Sequence, residues 1–350
     1  MTLHLSTTRR DFLKASFIGG ATALAAGRLT SWAEESAAPA AVKAKSRVAL
    51  ATGSDRANLA FKALKPFRKE IAAAVGDKLV VLKPNMVVTD EPLAASAAAN
   101  LEGILEFLKS IGRTRAVIAE STASGPAADG FSNYGYDKVA ATYGVQMVDL
   151  DTQPFETLYC WDETDLRPHP CRMSKMLLDP GHFVISAAKF KTHDRVVATL
   201  SLKNIVVGAP VKEPGATWGG PSDKAITHGG GFRGINYNLA ALAPTLHPHL
   251  AVIDGYEGLQ GNGPIYGTPV DQKVCVAGMD WLAADRVAVE LMGIDFAKVG
   301  YLNYCAQIGT LGQADLSKIE IIGPAIKDHV KKYQLPDNVD EQLIWQRSGR

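Results

Sequence analysis

The sequence predicts an α/β fold: a mainly parallel sheet flanked by helices on both faces, with a division into two lobes left open. Three observations carry this. Short runs at residues 48–52, 79–83, 116–120, 145–150, 183–187, 250–254 and 273–277 are rich in Val, Ile, Leu and Ala. They are near-continuous rather than alternating, as strands covered on both faces are. Segments with helical spacing lie between them, at 56–75, 97–111, 136–143, 196–206, 236–242 and 281–291. Strands alternating with helices build parallel sheets.

Each expected strand delivers a distinct set of residues at its end. The first, Val48-Ala49-Leu50-Ala51-Thr52, turns at Gly53-Ser54 into a helix and matches neither the Rossmann nor the P-loop glycine pattern. The second ends in Lys83-Pro84-Asn85 and the third in Glu120-Ser121-Thr122. The fifth runs into Lys189-Phe190-Lys191-Thr192-His193. The sixth ends in Asp254-Gly255-Tyr256-Glu257, followed by Gly261-Asn262-Gly263-Pro264. The seventh leads to Gly278-Met279-Asp280, where Asp280 reads as the N-cap of the next helix. Residues 207–234 are rich in Gly and Pro and long for a loop, a length that usually marks function or motion.

The N-terminus reads as an address. Thr8-Arg9-Arg10-Asp11-Phe12-Leu13-Lys14 is a twin-arginine signature followed by an apolar run over 15–26. Ser31-Trp32-Ala33 places small residues where a signal peptidase cuts after Ala33. The run is about 12 residues, against the roughly 20 a bilayer span needs. We therefore expect a twin-arginine signal peptide at 1–33, a linker at 34–46, an α/β domain at 47–325 and a polar tail at 326–350. The expected partner is the twin-arginine translocase, the expected location periplasmic, and no transmembrane span is expected after cleavage. The 350-residue chain carries 37 Lys and Arg against 36 Asp and Glu, a net charge of +1. Arg9, Arg10, Lys14 and Arg28 against Asp11 give the leader +3, which leaves the rest at −2. Such a balance excludes a dedicated nucleic-acid binder.

Open α/β sheets bind ligands beyond the carboxyl ends of their strands. The alternation of Lys189, Lys191 and His193 puts all three on one face of an extended segment. Lys83, Asn85, Lys189, Lys191, Lys203, Asn204 and Asn262 are the expected ligand-binding residues, and cationic donors of this kind suit a carboxylate or phosphate. Lys212 and His228 lie in the Gly/Pro-rich loop. His193 and His228 are the candidate acid–base groups, because imidazole titrates near neutrality. Glu120, Asp254 and Asp285 are candidate ligands for a divalent metal, with no tight ligand spacing among them.

The four cysteines, Cys160, Cys171, Cys275 and Cys305, form no CxxC pattern and do not support an iron–sulfur cluster. Cys160 and Cys171 are spaced to allow pairing across a short loop. His169 reads as an exposed loop residue, and His247-Pro248-His249 as a turn before a strand.

Together, Leu82-Lys83-Pro84-Asn85-Met86-Val87, Ala188-Lys189-Phe190-Lys191-Thr192-His193, Thr199-Leu200-Ser201-Leu202-Lys203-Asn204-Ile205, Asp254-Gly255, Gly261-Asn262-Gly263-Pro264, Gly278-Met279-Asp280 and Ala284-Asp285 form an ordered series. The series resembles the bacterial and archaeal domain-of-unknown-function family 362 over about residues 47–325. That resemblance implies the α/β fold and a site at these strand ends, for a family whose activity is not established. Many members carry a Cys-rich ferredoxin-like segment, which this chain lacks, so the redox role implied for them does not carry over. The expected function is an exported enzyme acting on a small anionic substrate with metal assistance. The alternative is a non-catalytic ligand- or cofactor-binding or accessory protein, travelling with an exported redox enzyme.

Overall fold

The computed structural model describes residues 45–347. The leader expected at 1–33, residues 34–44 of the linker, and the last three residues lie outside the described residues. The strands are β1 (Ser46–Thr52), β2 (Leu79–Pro84), β3 (Ala116–Glu120), β4 (Gln146–Asp149), β5 (Phe155–Asp162), β6 (Arg167–Ser174), β7 (His182–His193), β8 (Val197–Thr199), β9 (Leu250–Gln260), β10 (Thr268–Gly278) and β11 (Ile319–Ile322). Nine of them make one mixed, mainly parallel sheet in the order β11-β1-β10-β9-β7-β2-β3-β4, with β8 beside β7.

Alternate residues of each central strand feed opposite sides of this sheet. In β2, Val81 joins one core while Val80 and Leu82 join the other. In β9, Ala251 and Ile253 face the first core, and Leu250 and Val252 the second. Both faces are apolar because both are covered, which is why the strand segments read as unbroken hydrophobic runs.

The second core is closed by α1 (Arg56–Leu64), α2 (Arg68–Val75), α3 (Ala98–Ser110), α4 (Ala127–Asn133) and α5 (Tyr136–Tyr143). The single helix expected at 56–75 is broken at Lys65–Phe67, where Pro66 lacks the N–H that would continue the ladder. The first core is closed by α6 (Ser201–Val206), α8 (Phe232–Leu242), α9 (Trp281–Leu291) and α10 (Gly300–Ile308), with the short α7 (Lys224–Thr227) nearby. The helix expected at 196–206 begins as a strand, β8, and becomes helical only at Ser201.

Two differences from the expected layout matter for the site. β10 runs antiparallel to both β1 and β9. Its end, Gly278-Met279-Asp280, therefore lies at the edge away from the other strand ends, where Asp280 caps α9 by accepting from Ala283 N at 3.0 Å. The hairpin β5–β6 forms a separate two-stranded sheet, outside the main one. Its exposed Phe155 and Tyr159, and the prolines at 168 and 170, conceal a strand pattern; Pro is tolerated where a ladder has a free edge.

The C-terminal segment returns to the domain. α11 (Val339–Gln342) brings Gln342 Oε1 to accept from Val197 N at 2.7 Å. Val197 holds φ 67, a left-handed conformation that a β-branched residue rarely adopts. Asn338 Nδ2 donates to Asp194 O at 2.9 Å. These contacts brace the turn that follows His193. No helix among the described residues is long and apolar enough to cross a membrane.

Candidate active site

The parallel strands β2, β3, β7 and β9 end at one edge of the sheet. There Lys83 from β2 and Glu120 from β3 meet, Nζ to Oε1, at 2.5 Å, and each is 1 % exposed. Burial lowers the Lys83 pKa and raises that of Glu120, and the attraction between the two opposes both shifts. The side chain of Asn204, on α6, ties the pair down. Its Oδ1 accepts from Lys83 Nζ at 3.2 Å and from Asn85 Nδ2 at 3.1 Å. Its Nδ2 donates to Lys83 O at 3.1 Å and Ser186 Oγ at 3.0 Å. Gly208 leaves space for the lysine, since a Cβ there would lie 2.1 Å from Lys83 Cε.

Above this pair opens a cavity of about 780 Å³. Lys83, Asn85, Glu120 and Asn204 form its polar floor, while His193, Lys203 and His228 line its wall. Asn262 also borders it, but its amide is engaged with Asp337, donating to Oδ2 at 2.8 Å and accepting the backbone N–H at 2.9 Å. Thr199, Arg195 and Lys224 add to the polar lining and were not among the expected site residues. Lys224 does fall in the Gly/Pro-rich loop, whose length is the signal that points to it. Its Nζ donates to Pro210 O at 2.9 Å.

The two histidines, His193 buried and His228 half-buried, are neutral rings of opposite tautomer. His193 is pushed well below its usual pKa by burial, then by Lys203 and His228. His228 is pushed down to about 4, by burial first and Lys203 second. Arg195 N donates to His193 Nδ1 at 3.0 Å, which places the ring proton on Nε2. Asp194 Oδ1, 3.2 Å from the same nitrogen, becomes a partner only when the ring is protonated. His228 Nδ1 faces Lys224 O at 2.9 Å and must donate to it, which leaves Nε2 with a lone pair. One imidazole thus offers a donor and the other an acceptor.

Burial lowers Lys203 and Lys224 to about 8. With both histidines neutral, the four cations Lys83, Lys203, Lys224 and Arg195 outnumber the carboxylates Glu120 and Asp194 around the cavity by two. Among the described residues, three buried polar atoms of the lining have no hydrogen-bond partner: Glu120 Oε2, Asn85 Oδ1 and Thr199 Oγ1. An unpaired buried acceptor costs about 1–3 kcal/mol.

Several expected site residues lie elsewhere. β7 runs unbroken to His193, so Lys189, Lys191 and His193 span roughly 13 Å at about 3.3 Å per residue. Only the last of the three lines the cavity. Lys191 Nζ donates to Ala94 O at 2.6 Å. Lys189 is buried near Asp254 and Arg56. Lys212 pairs with Asp151 at 2.8 Å, both fully buried.

The expected metal set is not assembled. Glu120 is held by Lys83, and Asp254 Oδ2 lies 3.3 Å from Arg56 Nε. Asp285 accepts from Ser201 N at 2.8 Å and Leu202 N at 3.1 Å, at the start of α6. No group of three or more His, Cys, Asp and Glu able to hold a metal is present among the described residues. Cys160 and Cys171 are free and buried.

Residues 80–290 match the family described as Domain of unknown function (DUF362). The chain belongs to this family. The match spans every cavity residue named above, from Lys83 to Asn262. A thylakoid-associated protein of Synechocystis is similar, at 25 % identity over 226 residues, covering 64 % of this chain and 65 % of that protein. The chain thus spans a little under two thirds of that relative's length. A crystal structure of a Thermotoga maritima protein aligns over 71 % of this chain and 59 % of the other, at 11 % identity and a TM-score of 0.36.

The burial of neutral His228 couples stability to pH. An unfolded histidine takes a proton near pH 6.5, whereas His228 does so only near pH 4. Between those values the unfolded chain binds more protons, so stability falls as pH drops through that window, by up to about 1.4 kcal/mol per unit. Urea titrations at pH 7 and 4.5 are expected to show this slope, shallower in His228→Gln than in the parent protein. The Lys83–Glu120 pair makes a second prediction. Lys83→Met strands a buried carboxylate and is expected to cost about 3–5 kcal/mol, while Lys83→Met with Glu120→Leu recovers most of it. Denaturation midpoints of the three proteins measure the difference.

Proposed function

We propose that this protein is an enzyme that binds an organic anion in the cavity and moves a proton on it. The supporting observation is the pair of neutral histidines of opposite tautomer in one cation-rich cavity. Lys203, with Arg195 and Lys224, attracts the anionic group. His228 Nε2, which carries the free lone pair, acts as the base, and its proton affinity rises when the bound anion offsets the burial and the Lys203 charge that depress it. His193 Nε2–H donates a hydrogen bond to an oxygen of the ligand, and gains charge only when the bound anion offsets its burial. No step is assigned to a metal.

A second reading is binding without turnover, as a ligand or cofactor carrier or as an accessory to a redox enzyme. The volume of the cavity favours it, because about 780 Å³ suits a cofactor-sized guest. Native mass spectrometry of the protein purified from its cells gives the mass of any bound compound. Proton NMR of that compound with fresh wild-type protein and with His228→Ala separates the readings. The enzyme reading expects product with wild type alone. An unchanged compound in both samples overturns it in favour of the carrier.

Anion binding is expected to weaken as pH rises through about 8, where Lys203 and Lys224 lose their charges. Calorimetric titration with acetate and phosphate at pH 7 and 9 tests this, and Lys203→Met is expected to weaken binding at pH 7 about tenfold or more. We place the protein outside the cytoplasm, exported folded by the twin-arginine translocase, on the strength of Arg9, Arg10 and the apolar run after them. Arg9→Lys with Arg10→Lys is expected to hold the chain in the cytoplasm, as read by immunoblot of periplasmic and cytoplasmic fractions.

A further inference from the structure

The cavity is far larger than an anionic group requires. A carboxylate fills the space of roughly two waters, about 60 Å³. The rest of the volume is bounded differently from the floor. Met86, Val87, Val207, Pro264 and Ile265 supply apolar walls above the lysines. At the mouth stand two large aromatics, Trp218 and Tyr266, 62 % and 80 % exposed.

Exposed aromatics scattered singly need no explanation. These two are not scattered. Trp218 comes from the Gly/Pro-rich loop and Tyr266 from the loop after β9, and both border the same opening. Among the described residues, neither ring is stacked on another aromatic. Their faces are therefore available to a guest. The Trp218 loop also has room to adjust, since Gly215 and Gly219 take positive φ with nothing within 4 Å of an added Cβ.

We infer that the ligand is an amphipathic organic anion: an acidic head held at the lysine-lined wall, and a flat apolar body that lies along Met86, Val207 and Ile265 and is held at the mouth by Trp218 and Tyr266. This rests on the reading that the cationic wall binds an anion, and it names the class of anion. The apolar walls favour a body that leaves water, at about 25 cal/mol per Å² of apolar surface removed. The rings add stacking to that transfer. A bare inorganic anion would use neither feature and would leave most of the cavity to water.

Three probes of graded chemistry test this on the purified protein by calorimetry: acetate, 2-naphthoate and the uncharged 2-naphthylmethanol. Naphthoate is expected to bind about tenfold tighter than acetate or more. Trp218→Ala with Tyr266→Ala is expected to remove most of that advantage. Both positions are exposed, and an unchanged circular dichroism melt confirms that the fold is retained. Equal affinities for naphthoate and acetate overturn the amphipathic assignment while leaving anion binding standing. So does an advantage for naphthoate that survives intact in the double variant. If naphthylmethanol binds as tightly as naphthoate and Lys203→Met changes neither, the anion reading itself fails and the assignment falls with it.

Discussion

Two opposite charges buried at the edge of a parallel sheet set the arrangement of everything around them. Neither Lys83 nor Glu120 can be stable there alone, because a lone charge out of water costs several kcal/mol. They must meet, and their meeting fixes the relative position of β2 and β3. Asn204 then has to satisfy the lysine, Asn85 and Ser186 together, which fixes α6 over the strand ends. Gly208 must stay bare for the lysine to fit. The capping of α6 by Asp285 belongs to the same scheme: a carboxylate on α9 holds the helix that holds the asparagine.

From this floor upward the polarity changes in steps. Paired charges and unpaired acceptors lie at the bottom, lysines weakened by burial and neutral imidazoles along the wall, aliphatic surface above them, and aromatics at the opening. Burial produces the middle step. It weakens Lys203 and Lys224 and keeps His193 and His228 uncharged, so the wall gains most from a guest that brings negative charge. The turn after His193 is braced from outside, by Gln342 on Val197 and Asn338 on Asp194, so the C-terminal segment takes part in shaping the site.

Much of the sheet was legible because its strands are covered on both faces. Such strands carry unbroken apolar runs, and β1, β2, β3, β7, β9 and β10 all announce themselves so. The hairpin β5–β6 did not, because its exposed aromatics and prolines belong to a free-standing ribbon. The direction of β10 was also hidden, since an apolar run reads the same for parallel and antiparallel strands. Within the site, Lys83, Asn85, Glu120, His193, Lys203, Asn204, His228 and Asn262 were marked by position at or just after strand ends, near the end of a short helix or in the long loop, and all border the cavity. Lys189 and Lys191 share the face of His193 but not its depth. Alternation reports the face of a strand and says nothing about how far along it a cavity lies.

The sequence alone determined the layered α/β class, the strand edge where polar groups gather, the motifs that carry the family resemblance, and the uneven charge between a basic N-terminal segment and a slightly acidic remainder. Those properties follow from local composition, periodicity and the order of short motifs, which do not depend on distant partners. Tertiary structure decided which charges neutralise one another and which stay available. Asp254 and Asp285 looked equivalent to Glu120 as metal ligands, yet one faces Arg56 and the other caps a helix. The unpaired floor atoms and the aromatic mouth are likewise set by groups distant in sequence or by loops that carry no period, and the histidine tautomers by backbone groups of Arg195 and Lys224, whose placement depends on how the local turns fold. A side chain's protonation and its freedom to bind depend on what folding places beside it, and sequence order does not record that.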